Sequence, residues 1–212
     1  MDPPSEAPAG SDGKRRQQAA ATKEQLLVAA REVFEQRGYL ATTVGAITEL
    51  ANTAHGTFYL YFKNKEDVFG EVITEVVHDL YERSLVPSMS LPPLEAADST
   101  AASVRALLTV FAEHRGLWRA LLEAVLQSTT IEQRWLDLRR DFIDRIIARL
   151  GELETAGAAR ALDAEVVAHA LVAMVEWFAF AGSVFGEPDP AAIGIDRATA
   201  VLADLWNRAL SP

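Results

Sequence analysis

Apolar residues recur along this chain at intervals of three and four, and no segment alternates with a period of two. That spacing predicts helices throughout and no sheet. Leu26, Ala30, Val33 and Phe34 mark the buried face of a first helix. The capping-box pattern Thr22-x-x-Gln25 opens it, and Gly38 closes it in a left-handed cap. Thr42 and Thr43 offer an N-cap for a second helix with Val44, Ile47, Leu50 and Ala51 facing inward. Asn52 then suits a left-handed turn residue, and Thr53 a cap for a third helix over residues 54–60. Gly56 inside so short a helix costs about 1 kcal/mol against Ala. Its presence predicts a close backbone approach, to DNA or to the second helix. Asn64 caps a fourth helix whose first turn carries Glu66 and Asp67, complementing the dipole. Its stripe runs through Val68, Phe69, Val72, Ile73, Val76 and Leu80 and is expected to end before Pro87.

Residues 89–98, with Pro92 and Pro93, read as a loop. Helices are expected over 100–114 and, after a break near Gly116, to about residue 127. Thr130-x-x-Gln133 is a second capping-box match, opening a long helix that ends near Gly157. Asp163 caps the next helix, which is apolar on more than one face, as if covered on two sides. Gly186 to Pro190 breaks it, and a last helix starts at Pro190 or Asp196 and ends near Leu210.

The stretch from Thr42 to Lys65 carries the functional signal. Two short helices, a tight turn and an aromatic-rich exit read as a helix-turn-helix that sets its second helix in a DNA major groove. Charge supports this locally. The chain of 212 residues has a net charge of −10, which argues against a non-specific coat for nucleic acid. A reader with a local basic patch is compatible with it, because at physiological salt the field decays within about 8 Å. Asn52 to Lys65 contains no Asp or Glu, and neither does Gly13 to Lys23. Residues 1–20 read as a flexible tail, and its Lys14-Arg15-Arg16 run is either solvated or an arm that touches DNA.

Hydrophobic residues make up 50% of the chain, so it is globular. The absence of cysteine excludes disulfides, thiolate nucleophiles and cysteine-based zinc sites, and suits a reducing cytoplasm. The N-terminus has no apolar h-region, and no segment holds eighteen uninterrupted apolar residues. Neither a secretory signal nor a membrane span is expected.

The residues from Thr22 to Phe69 resemble the TetR family of bacterial transcriptional regulators. The resemblance rests on Phe34, Gly38-Tyr39, Thr42-Thr43-Val44, Ile47, Leu50-Ala51, Gly56-Thr57-Phe58-Tyr59, Tyr61-Phe62 and Asn64-Lys65-Glu66. It implies an all-α fold: a three-helix helix-turn-helix DNA-binding domain over 21–66, then a helical-bundle regulatory domain over 67–212. It further implies a homodimer through the last two long helices and a double-stranded DNA operator. A small, largely apolar effector is expected to release a repressor from that operator by shifting the fourth helix.

Within the motif, Thr43, Tyr59, Tyr61 and Lys65 suit phosphate contacts, and helix N-termini add backbone donors. His55 and Thr57 suit base edges, Gly56 suits close approach, and Thr53 is counted with the DNA-binding set. Phe58 and Phe62 are assigned to a small core. Asn52 stands where the family usually has Gly, and Thr53-Ala54 where Val-Ser is common. His55 replaces a common Lys or Arg, and Leu60 a polar or basic residue. The lowered local charge predicts about three to five phosphate contacts per monomer at roughly 0.9 in salt slope each.

In the second domain the resemblance implies a cavity. Trp118, Trp135, Phe142, Trp177, Phe178 and Phe180 are candidates to line it, against a plain-core reading. His169 and Glu176 share one helical stripe and are placed at a dimer interface, on ligand or in solvent. Arg139 and Arg140 are read as solvated or paired with nearby acids such as Asp137 and Asp144. Glu75-x-x-His78 spells a di-iron motif but has no second copy. No phosphate loop, nucleophile elbow or zinc motif occurs, so no catalytic residues, metal or cofactor are assigned. The alternatives are a helical enzyme or metal protein, or a regulator controlled by a protein partner.

Overall fold

The computed structural model describes residues 9–90, 96–187 and 193–211, and among them every regular element is helical. In order these are α1 (Ala9–Arg37), α2 (Val44–Leu50), α3 (His55–Phe58), α4 (Lys65–Ser90), α5 (Ala96–Glu113), α6 (Arg115–Val125), α7 (Thr129–Thr155), α8 (Ala164–Val184) and α9 (Ile195–Leu210).

The punctuation expected from sequence holds at several ends. Gly38 has φ +76° and Asn52 φ +50°. Thr43 Oγ1 accepts from Ala46 N at 3.2 Å, and Asp163 caps α8 by accepting from Val166 N at 3.2 Å. Asn64 Oδ1 accepts from Asp67 N, while Asp67 Oδ2 accepts from Lys63 N, a reciprocal cap on α4.

Other ends differ. Residues 9–20, expected as flexible tail, are the opening of α1; residues 1–8 lie outside the described residues. The Ala, Gln, Lys and Arg run before Thr22 is made of strong helix formers, so the helix has no reason to wait for a cap. Thr22 Oγ1 instead donates to the Gln18 carbonyl at 3.0 Å. Helix α4 continues through Pro87 to Ser90, since a proline deletes one hydrogen bond but leaves the buried turns before it intact. Helix α5 begins at Ala96, not near residue 100. The cap of α7 is Ser128, whose hydroxyl accepts from Ile131 N, and not Thr130. Leu50, expected to face inward, is exposed, and Thr48 is buried in its place.

Helices α1 to α4 share an aromatic core. Phe34 of α1 meets Phe69 of α4 edge-on at 4.7 Å between ring centres, and Tyr39 lies 5.0 Å from Phe69. Phe58 and Phe62 are fully enclosed beside them, as expected. Helices α4 to α9 pack into one bundle. By length and apolarity alone α8 could cross a membrane, but it buries Ala168, Leu171, Val172, Val175 and Ala179 in that bundle.

Candidate nucleic-acid interface and aromatic cavity

The expected DNA face is open. His55 and Gly56 are exposed and Thr57 half-buried, all on α3, with Tyr59 exposed and Tyr61 half-buried just beyond. The His55 and Tyr59 rings lie 5.4 Å apart. No atom approaches within 4 Å of the Cβ position at Gly56. The glycine therefore makes no room for helix α2, and its bare backbone faces outward. Thr43 is exposed beside this surface while capping α2.

Two expectations are corrected here. Thr53 does not cap α3: Ala54 occupies the cap position with no side-chain bond, and Thr53 Oγ1 is buried without a partner. The chain turns one residue later than the hydroxyl needs, so Thr53 points inward. Lys65 is not a free phosphate ligand. Its Nζ donates to the Tyr39 carbonyl at 2.8 Å and sits 4.4 Å over the Tyr39 ring. Burial lowers its pKa, with Glu123 acting in the opposite direction. Lys23 is likewise engaged, by Glu71 at 2.7 Å. Arg37 and Lys63 are exposed, and no described acid pairs with either. Leu60 is 79% exposed, a large apolar side chain next to the recognition helix. Sequence reading noted it only as a departure; the signal was its position after a buried Phe58 on so short a helix.

The C-terminal bundle holds a cavity of about 400 Å³ between α4, α5, α6, α7 and α8. Of the candidates, Trp118, Trp135, Trp177 and Phe180 line it, together with Tyr81 and Phe111. Three candidates lie elsewhere. Phe142 stacks on Tyr81 at 4.1 Å between ring centres and lines a separate cavity of about 70 Å³. Phe178 faces α9, across from Ile193 and Val201. His169 is exposed and lines none of these cavities. Each sits on the wrong side of its helix, which periodicity alone does not settle when two faces are apolar.

One polar cluster interrupts the aromatic wall. Glu176 Oε2 accepts from Arg139 Nε at 2.9 Å, and Oε1 accepts from the Tyr81 hydroxyl at 3.2 Å. Arg139 is thus half-buried and paired with Glu176, not with a nearby acid of its own helix. Burial pushes the Glu176 carboxyl above the usual range, against the pull of Arg139, Tyr81 and His169. Burial pushes the Tyr81 phenol well above its ordinary value. Glu75, of the Glu-x-x-His pattern, pairs with Arg31 at 2.6 Å. No group of three or more metal-ligating residues occurs among the described residues.

Helix α6 joins the two regions. Trp118, Leu121 and Val125 face the cavity. At its N-terminus the Glu35 carboxylate of α1 accepts from Gly116 N at 2.6 Å and Leu117 N at 3.0 Å. Near its C-terminus the Glu123 carboxylate accepts from Leu40 N at 2.9 Å. The following turn is tied too: Ser128 Oγ donates to Glu66 Oε1 at 2.7 Å.

Residues 26–72 match the family described as bacterial regulatory proteins, tetR family. Residues 100–210 match that described as transcriptional regulator EthR, C-terminal domain. The chain is 26% identical to the uncharacterized HTH-type transcriptional regulator YhgD of Bacillus subtilis, over 71% of this chain and 78% of YhgD. It is 41% identical to the HTH-type transcriptional regulator QacR of Staphylococcus aureus, over only 24% of this chain and 27% of QacR. Among solved structures, it superposes on SmeT, the repressor of the Stenotrophomonas maltophilia multidrug efflux pump SmeDEF. That match has a TM-score of 0.71 and 23% identity, and covers 92% of each chain.

Proposed function

The chain belongs to the TetR family of bacterial transcriptional regulators, and on that premise we propose that it is a homodimeric repressor released from a near-palindromic operator by a largely apolar effector. The observation that carries this reading is the double attachment of α6. One face of that helix walls the cavity, and carboxylates hold it to the α1–α2 region at both ends. A ligand that displaces Trp118 or Leu121 must strain or break those bonds. SmeT is a repressor by its description, which favours the same sign of regulation here.

On the DNA side, His55, Gly56 and Thr57 read base edges, and Leu60 adds an apolar contact suited to a thymine methyl. Thr43, Tyr59, Tyr61, Arg37 and Lys63 set the register on phosphates. Lys65 is withdrawn from that role. The DNA-binding unit comprises α1 to α3 and ends near residue 66, with α4 as the connection. The second copy packs on α8 and α9, where Val166, Val201 and Leu205 are exposed large apolar side chains.

The test is a pair of titrations on an operator selected from random double-stranded DNA. Effector must weaken operator binding, and operator must weaken effector binding by the same factor. Independent titrations would refute the switch. Sedimentation of the free protein as a monomer at micromolar concentration would refute the dimer.

A further inference from the structure

The polar cluster in the 400 Å³ cavity has an asymmetry that bears on what it binds. Both oxygens of Glu176 are already taken, one by Tyr81 and one by Arg139. Arg139 is not equally satisfied. A guanidinium carries five N–H donors in a planar fork, and only Nε–H is used, in a single-point contact with Glu176. Its two terminal nitrogens, with four donors, have no described protein partner at the cavity wall. They form the edge of the fork that matches a carboxylate in two-point fashion. The rest of the lining is aromatic or aliphatic, so it offers an incoming ligand no competing polar anchor of comparable strength.

We propose that the cavity takes a predominantly apolar monocarboxylate whose head group bonds the free edge of Arg139, with Glu176 taking up a proton from solvent as the anion enters. This rests on the reading of the cavity as the effector site. The charge balance requires the proton. Before entry, Arg139 and Glu176 form a neutral pair. A second carboxylate would leave a net negative charge beside the aromatic wall, and two carboxylates sharing one cation do not both stay ionised. The groups that face Glu176 are Tyr81 from α4, Arg139 from α7 and His169 from its own helix. Helix α6 contributes Trp118 and Leu121, which carry no charge. Tyr81 does not pass its own proton to Glu176, since burial disfavours the phenolate, so the proton comes from solvent. Burial already raises the Glu176 carboxyl toward protonation. A cationic head group is disfavoured by the same geometry: Glu176 has no unshared oxygen to offer, and Arg139 repels it.

Three probes with one apolar body test this: 6-phenylhexanoate, 6-phenylhexanamide and 6-phenylhexylamine, titrated calorimetrically into the full-length protein. The acid should bind at least tenfold more tightly than the amide, and the amine more weakly still. Repeating the acid titration at pH 7.5 in two buffers of different ionisation enthalpy should show uptake approaching one proton per ligand, and the amide should show none. Arg139→Gln should weaken the acid at least tenfold and the amide less than threefold. If that variant misfolds around an unpaired Glu176, the Arg139→Gln/Glu176→Gln pair restores a neutral cluster and should abolish both acid preference and proton uptake. An amide or amine that binds as tightly as the acid overturns the proposal and leaves the cavity as an effector site. Tight acid binding without proton uptake overturns the role of Glu176. Binding of none of the three at millimolar concentration overturns the proposal together with the cavity reading.

Discussion

Replacing Gly116 by alanine probes the joint between α1 and α6. A Cβ at this position would lie 1.9 Å from the Glu35 carbonyl oxygen and 2.7 Å from its carbon. A carbon meets a carbonyl oxygen comfortably at about 3.3 Å, so the helices must part by about 1.4 Å. Both obstructing atoms are backbone and cannot swing aside. That displacement stretches the Glu35 carboxylate bonds to Gly116 N and Leu117 N, now 2.6 and 3.0 Å, beyond useful range. Overpacking costs about 1–3 kcal/mol. The two charge-assisted bonds are half-exposed and together contribute about 1–2 kcal/mol. The better helix propensity of alanine returns at most about 1 kcal/mol. The net loss is about 2–4 kcal/mol, or a fall in Tm of about 4–15 °C for a chain of this size. Circular dichroism melts measure it. Gly151→Ala in α7 is the control: nothing lies within 4 Å of its Cβ position, so it should stabilise by up to about 1 kcal/mol. Gly116→Ala melting within 1 °C of the parent, at unchanged operator affinity, would refute the joint as described.

Three further outcomes follow from the same geometry. Because burial raises the Glu176 pKa, the folded protein holds that proton to higher pH than the unfolded chain. Stability is therefore complete below the ordinary carboxylate range and is lost as pH rises through the folded value. Urea melts from about pH 4 to 8 should show the parent losing stability relative to Glu176→Gln as pH rises out of the ordinary carboxylate range, and curves parallel over that whole span would contradict this. Lys65→Ala should lower stability by about 1–2 kcal/mol through loss of the Tyr39 carbonyl bond and ring contact. Its operator salt slope should stay unchanged, whereas Lys63→Ala should reduce the slope by about 0.9 without altering base preference. His55→Ala should change base preference in a selection from random DNA while leaving the slope unchanged. Equal effects of His55→Ala and Lys63→Ala would refute the division between base and phosphate contacts.

The helices, their order and the helix-turn-helix were legible in the sequence because their signals are local. Asn52 and Gly38 follow the last turn of a helix, where a left-handed residue closes it, and Asn64 and Asp163 cap the turn that follows them. His55, Gly56 and Tyr59 were legible as an exposed set, with Thr57 half-buried among them, because α3 is too short to bury more than Phe58. Local rules also misled where two candidates competed, as at Thr22 after a strong helix-forming run and at Thr130 beside Ser128. What tertiary structure alone decided is pairing between distant segments. Lys65 looks like any cation after a recognition helix until the Tyr39 carbonyl, 26 residues earlier, is found within reach. Glu176 and Arg139 stand 37 residues apart on helices whose rotation fixes whether they meet. Phe142 and Phe178 share the composition of the 400 Å³ cavity's lining, and only the rotation of their helices turns them away from it. Gly116 shows the same limit, since it reads as a helix break, yet the reason for a glycine there is a carbonyl on α1 that no sequence interval reveals.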